Sequence, residues 1–163
     1  MRPRLSLKGR GLQILAQREH SRSELRRKLM VHARKPAGEG ETPVDEDTAA
    51  EQVEAVLDWL QANRYLSEER FAESRIHARA GRYGNLRIQQ ELAQHGVALG
   101  AEAVQQLKGS EAARAREVWA RKFDRPPQDA AERARQMRFL AARGFSGDAI
   151  RRALRGGADD ESA

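Results

Sequence analysis

The 163-residue chain has no cysteine. Disulfides, thiolate-bound zinc and a thiol nucleophile are therefore excluded, and a reducing cytosol fits. Aromatic residues make up only 5% and hydrophobic residues 39%, with a mean hydropathy of −0.80. That supply suits thin helical layers better than one large central core. No stretch approaches the roughly 18 apolar residues of a membrane span. The opening "MRPRLSLKGRG" carries arginines without the apolar run of a secretory signal. β-branched residues are sparse and strand-like alternation is missing, so the strong periods are all helical. These shortages predict a soluble, cytoplasmic, all-α protein that does not engage a membrane.

Catalytic patterns are missing as well. His20, His32, His77 and His95 include no pair at the i, i+4 spacing of a helical zinc site. The serines fall where helix caps belong, and the carboxylates are scattered along solvated faces. "ARAGRYGNLR" has the glycines of a phosphate loop but neither its lysine nor a preceding strand. Gly81 and Gly84 read instead as a break between helices. The expectation is a protein that is not an enzyme and uses no metal or cofactor.

What is present in quantity is positive charge. The formal net charge is +6, and it is unevenly spread. Residues 1–35 hold eleven Lys/Arg against Glu19 and Glu24, whereas residues 36–55 hold seven acids and no base. From Arg114 to Arg155 there are twelve bases and five acids, and "DDES" lies close to the end. A basic footprint of this kind attracts phosphate through counterion release. Solvation of helix faces by arginine is the plainer explanation of the same charge.

The helical segments repeat. Aligning "SRSELRRKLMVHA", "GNLRIQQELAQHG" and "AERARQMRFLAARG" superposes Leu29, Leu92 and Leu140. Three positions later stand His32, His95 and Arg143, followed by Ala33, Gly96 and Gly144. A leucine anchor, a cation-capable residue and a glycine describe a helix end, where the macrodipole favours the cation and glycine accepts a left-handed backbone. A second register places Glu54-Ala55-Val56, Glu102-Ala103-Val104 and Asp148-Ala149-Ile150 at 27, 12 and 10 residues from the anchors. The first unit thus contains an insertion of about fifteen residues, "KPAGEGETPVDEDT", too rich in Pro, Gly and acids to build a core. Another helix precedes each anchor: "GLQILAQRE", "EERFAESRIHARA" and "ARAREVWARKF". Ser67 and Ser146 are expected as caps, and "DRPPQD" as a break.

The expected organisation is three tandem three-helix units, helix-turn-helix-like and stacked into an elongated, curved array. They span residues 1–66 (with an acidic flexible insertion at about 35–48), 67–109 and 110–156, with an acidic tail at 157–163. Trp59, Trp119, Phe71, Phe123, Phe139 and Phe145 are expected as core anchors. Tyr65 and Tyr83, at helix ends, are the two aromatics placed to stack on bases, although packing explains them too.

With Leu25 and Leu29 facing inward, Arg27 points away from the core, flanked by Arg26 and Lys28. The same reasoning turns Arg87, Arg135 and Arg138 outward from the later middle helices. Arg82, Arg151 and Arg152 complete the candidate binding set. Arginine's planar fork suits phosphate or carboxylate.

"ERFAESRIHARA", "GNLRIQQELAQHG" and "RQMRFLAARGFSGDAIRRAL", in that order, resemble the RecX family of bacterial recombination regulators. "ILAQREHSRSELRRKL" and "VLDWLQANRYLSEERFA" fit the first unit of that family, so the resemblance covers roughly residues 10–155. The acidic insertion departs from the compact family pattern. The resemblance implies binding to RecA and to the groove of the RecA–DNA filament, with inhibition of strand exchange, ATP hydrolysis and co-protease activity in repair and the SOS response. It also implies weak, salt-sensitive contact with single- and double-stranded DNA by a monomer. A general or sequence-specific helix-turn-helix DNA-binding protein acting without RecA is the alternative.

Overall fold

The computed structural model describes residues 3–36 and 38–159, the last four of these as backbone only. Among them are eight α-helices and no strand. These are α1 (Leu7–Gln17), α2 (Arg22–Ala33), α3 (Glu46–Ala62), α4 (Glu68–Arg79), α5 (Asn85–Gln94), α6 (Ala101–Lys122), α7 (Ala130–Ala142) and α8 (Gly147–Asp159). Of the expected acidic tail, Asp160–Ala163 lie outside the described residues.

Local chemistry sets the helix starts. Ser6, Ser21, Asp45 and Asp129 each accept a hydrogen bond from a backbone N–H in the first turn of α1, α2, α3 and α7. Ser67 accepts from the Arg70 N–H at 3.2 Å, and Ser146 from the Ala149 N–H at 3.2 Å, as the sequence predicts. The prolines at 126 and 127 stand in the non-helical stretch between α6 and α7.

The chain forms two compact units, one up to Ala72 together with His95–Val97, the other from Glu73–Gln94 and from Ala98 onward. In the first, α2 and α3 face each other through Leu25, Leu29, Ala33, Ala49, Val53, Leu57 and Leu60, with Leu12 and Leu15 of α1 packed against them. In the second, Ala115, Val118 and Trp119 of α6 meet Leu140 of α7 and Ile150, Ala153 and Leu154 of α8. The three leucine anchors, Leu29, Leu92 and Leu140, are all fully or almost fully buried. Trp119, Phe71 and Phe145 are core residues, while Trp59, Phe123 and Phe139 are only partly buried.

Two expectations are corrected. Helix α6 runs unbroken through Gly109 for 22 residues, so "EAVQQL" and "ARAREVWARK" are parts of one helix. A single helical glycine costs only about 1 kcal/mol relative to alanine, too little to stop a helix anchored by Leu107 and Ala115 on either side. The insertion is also shorter than the second register implies. Asp45 caps α3 and Glu46, Asp47 and Thr48 are helical, the two acids filling the favourable first turn. From anchor to cap there are sixteen positions in the first unit and six from Leu140 to Ser146. Glu54-Ala55-Val56 lies mid-helix with Ala55 exposed, whereas Ala149 is buried.

Candidate functional site

Four histidines invite inspection first. His20 is buried, its Nδ1 2.9 Å from the Arg18 carbonyl and its Nε2 2.8 Å from Lys28 Nζ. A lysine ammonium has only protons to offer, so Nε2 accepts and Nδ1–H donates: the ring is neutral. Burial pushes the His20 pKa down. Beneath it, Glu24 receives Arg18. Burial alone would raise the Glu24 pKa, but the Arg18 bond, the charges of Arg18 and Lys28, and that of His20 once acid has protonated it, hold it at about 2. His95 does more than end a helix. Its Nδ1 lies 3.0 Å from Ser21 Oγ, its carbonyl accepts from Ser23 Oγ at 2.8 Å, and its ring packs on Phe71. His20 and His95 are thus structural, and among the described residues no group of three or more potential ligands could hold a metal ion.

In the second unit a crossing of two turns builds a more distinctive feature. The Gly84 N–H donates to the Arg143 carbonyl at 2.9 Å and the Leu86 N–H to the Gly144 carbonyl at 3.1 Å. A Cβ on Gly84 would stand 2.2 Å from the Phe145 nitrogen, and Gly144 has φ +88° with Arg87 against it, so neither position has room for a side chain. Glu111 of α6 locks the crossing. Its carboxylate accepts from the Asn85 N–H (3.1 Å), the Ser146 N–H (3.0 Å) and Ser146 Oγ (2.9 Å), and so serves the starts of α5 and α8 together. One turn on, the half-buried Arg114 donates to the carbonyls of Ala80 and Tyr83 and to the Asn85 side chain. Burial lowers its pKa.

This crossing places the ends of α4, α6 and α7 around a groove of about 770 Å³. His77, Arg82 and Tyr83 line it from α4 and the turn after it, Arg121 and Lys122 from α6, and Phe139 and Arg143 from α7 and its C-cap. Among the described residues, no carboxylate lines it. The Arg87 guanidinium lies 4.0 Å above the Tyr83 ring, Arg143 lies 4.9 Å from the Phe139 centroid, and Arg121 donates to the Gly81 carbonyl.

The candidate bases fare differently. Arg27, Arg82, Arg87, Arg135, Arg138 and Arg151 are exposed, and among the described residues none has a carboxylate within ion-pair distance. Arg26 is engaged by Glu54, Arg152 pairs with Asp148 at 3.2 Å, and Lys28 is held by His20 and Glu24. Arg82 lines the groove together with Tyr83, and Arg87 stacks on the Tyr83 ring. Sequence reasoning missed Arg121 and Lys122 and placed Arg143 only at a helix end. The closing "ARKF" of α6 and the "ARG" after α7 mark cations at helix ends, but nothing in the sequence shows that those ends meet.

Comparison with known proteins bears on this arrangement. Family models described as the second and third three-helix domains of RecX match residues 67–99 and 110–154. The chain is 50% identical to the regulatory protein RecX of Ralstonia nicotianae over 155 residues, covering 93% of this chain and 88% of that one. It is likewise 50% identical to that of Leptothrix cholodnii (94% and 90% covered), and 35% to that of Neisseria meningitidis serogroup B (98% and 96%). The crystal structure of RecX from Lactobacillus salivarius superposes with a TM-score of 0.72 at 16% identity, over 93% of this chain and 94% of that one. Two matching three-helix domains, and identity at up to half of the aligned positions over nearly the full length, make this chain a member of the RecX family of regulatory proteins.

Proposed function

We propose that this protein negatively regulates RecA in recombination, repair and the SOS response by binding RecA and its filament on DNA. It acts as a non-catalytic cytoplasmic monomer, with weak, salt-sensitive affinity for single- and double-stranded DNA. Membership of a family whose function is RecA modulation supplies the target. The observation that carries the mode of contact is the set of exposed arginines that have no carboxylate partner among the described residues: Arg27 in the first unit, and Arg82, Arg87, Arg135, Arg138 and Arg151 in the second. Unpaired guanidinium forks retain all their donors for phosphate or carboxylate oxygens. Arg26, Lys28 and Arg152 take part after exchanging their present partners, and so contribute less.

The test is RecA's ATP hydrolysis on single-stranded DNA, titrated with substoichiometric protein. The native chain is expected to suppress hydrolysis. Changing Arg27, Arg87, Arg135 and Arg138 together to Gln should weaken suppression with little change in melting temperature, as is usual for exposed positions. The same change should flatten the salt dependence of DNA binding by about one unit of slope per lost phosphate contact. A native chain that binds DNA yet leaves RecA's ATPase untouched would favour the DNA-binding protein acting alone. A quadruple variant that inhibits as well as the native chain would remove these arginines from the functional face.

A further inference from the structure

The groove at the ends of α4, α6 and α7 holds more positive charge than its structural role requires. Cations at helix C-termini are ordinarily explained by the macrodipole, worth roughly half a negative charge per helix end. Three converging ends therefore account for about 1.5 charges. Arg82, Arg121, Lys122 and Arg143 bring four full charges to the same opening. Among the described residues, none of the four cations has a carboxylate within ion-pair distance. An excess of more than two positive charges is left facing a concave space of about 770 Å³.

We infer that this groove seats the phosphates of a single polynucleotide strand, independently of base sequence. The inference rests on the polyanion-contact reading above and gives it a location that includes Arg121, Lys122 and Arg143. The aromatic rings at the groove are already occupied. Arg87 covers Tyr83, Arg143 lies over Phe139, and Lys122 Nζ is 5.9 Å from the same ring. They hold cations in position rather than offering bare faces to bases, so recognition falls on the backbone. A duplex carries its phosphates on a convex rod that would meet only the rim, whereas a flexible strand can bend into the cavity. Arginine clusters also receive acidic peptides, but such a motif is selected by pockets for its other side chains, and the rings that could form them here are covered by cations. A strand of closely and regularly spaced charges needs no such pocket.

The full-length protein is tested without RecA, by fluorescence anisotropy with a labelled oligothymidylate of about ten nucleotides. A mixed-sequence strand, a blunt duplex of the same length and polyglutamate serve as competitors. The strands of either sequence should compete equally, the duplex and polyglutamate at least tenfold more weakly. The triple variant Arg121→Gln, Lys122→Gln, Arg143→Gln should lose at least tenfold in strand affinity. Its salt slope should fall by about two units, at roughly 0.7 per single-strand contact. Because Arg121 and Arg143 also make packing contacts, the pair Arg82→Gln, Lys122→Gln is measured beside it and should lose at least threefold with an unchanged melting curve. Equal competition by duplex or polyglutamate would overturn the inference, as would native strand affinity in the Arg82/Lys122 pair. Parallel RecA ATPase titrations separate the two claims. Loss of strand binding with inhibition intact leaves the regulator reading standing through protein contacts, whereas strand binding without inhibition removes that reading and keeps the groove.

Discussion

Replacing Glu111 by alanine tests the lock that holds the second unit's turns together. The residue is 6% exposed, and its carboxylate is the acceptor for the Asn85 N–H, the Ser146 N–H and the Ser146 hydroxyl. Alanine leaves two backbone donors at helix starts unsatisfied, each costing about 1–3 kcal/mol when buried. It also removes the negative charge facing the positive ends of α5 and α8 and the half-buried Arg114 guanidinium. Together these amount to about 3–5 kcal/mol, the usual size for stripping one partner from a buried charge network. At about 2–4 °C per kcal/mol in a chain this long, the melting temperature should fall by about 6–20 °C. Circular dichroism at 222 nm measures the fall, and hydrogen exchange should show the Asn85 and Ser146 amides losing protection. Ser146→Ala alone should cost about 1–2 kcal/mol, for the bond to Glu111 and the α8 cap on the Ala149 N–H together, and less than that when added to Glu111→Ala, because the hydroxyl's acceptor is then already gone and only the cap is left to lose. A Glu111→Ala protein melting within about 2 °C of the native chain would refute the double-cap account, as would full additivity with Ser146→Ala.

Acid should weaken the first unit in two stages. His20 has a lowered pKa in the folded state, so its contribution is present above the unfolded value of about 6.5 and declines below it, as the buried ring is forced to charge beside Arg18 and Lys28 against the opposing pull of the Arg18 carbonyl and Glu24. Glu24, at about 2 when folded, contributes above its ordinary pKa of 4.5 and loses that contribution as pH falls from there toward 2. With Arg18 half exposed, solvent screening limits the second stage to about 1–2 kcal/mol. Melting temperatures between pH 7.5 and 3 should fall in both windows, and Glu24→Gln should abolish the lower one; an identical lower fall in that variant would contradict the assignment. Deleting residues 38–43 should shift the melting temperature by no more than a few degrees, since the stretch is exposed and its one backbone bond among the described residues, from the Glu41 N–H to the Gly38 carbonyl, closes a local turn. Asp45→Ala, by contrast, removes the α3 cap and its bond from Thr48 Oγ1 and should lower the melting temperature measurably, and the opposite ranking would show that the insertion, not the cap, organises that corner.

The all-helical class, the caps at Ser67 and Ser146 and the buried leucines at 29, 92 and 140 were legible because each depends on residues within a turn or two of one another. A 3.6-residue period, a serine before an acidic turn and a leucine three or four residues ahead of a helix end are local signals with local causes. The continuity of α6 through Gly109 was not legible, since a glycine's small helical penalty is outweighed only by packing on both sides of it. Nor was the true start of α3, where Asp45, Glu46 and Asp47 have the composition of a loop but also that of a helix N-terminus. Outward exposure of Arg27, Arg135 and Arg138 followed from helical geometry. Which bases are spent on partners did not: Arg26 meets Glu54 twenty-eight positions away, and Lys28 meets a histidine eight positions before it. The groove belongs wholly to the tertiary structure. Arg82, Lys122 and Arg143 lie far apart in the chain and share one opening because Gly84 and Gly144 let two turns cross without side chains between them, and because one buried carboxylate, Glu111, ties both to α6.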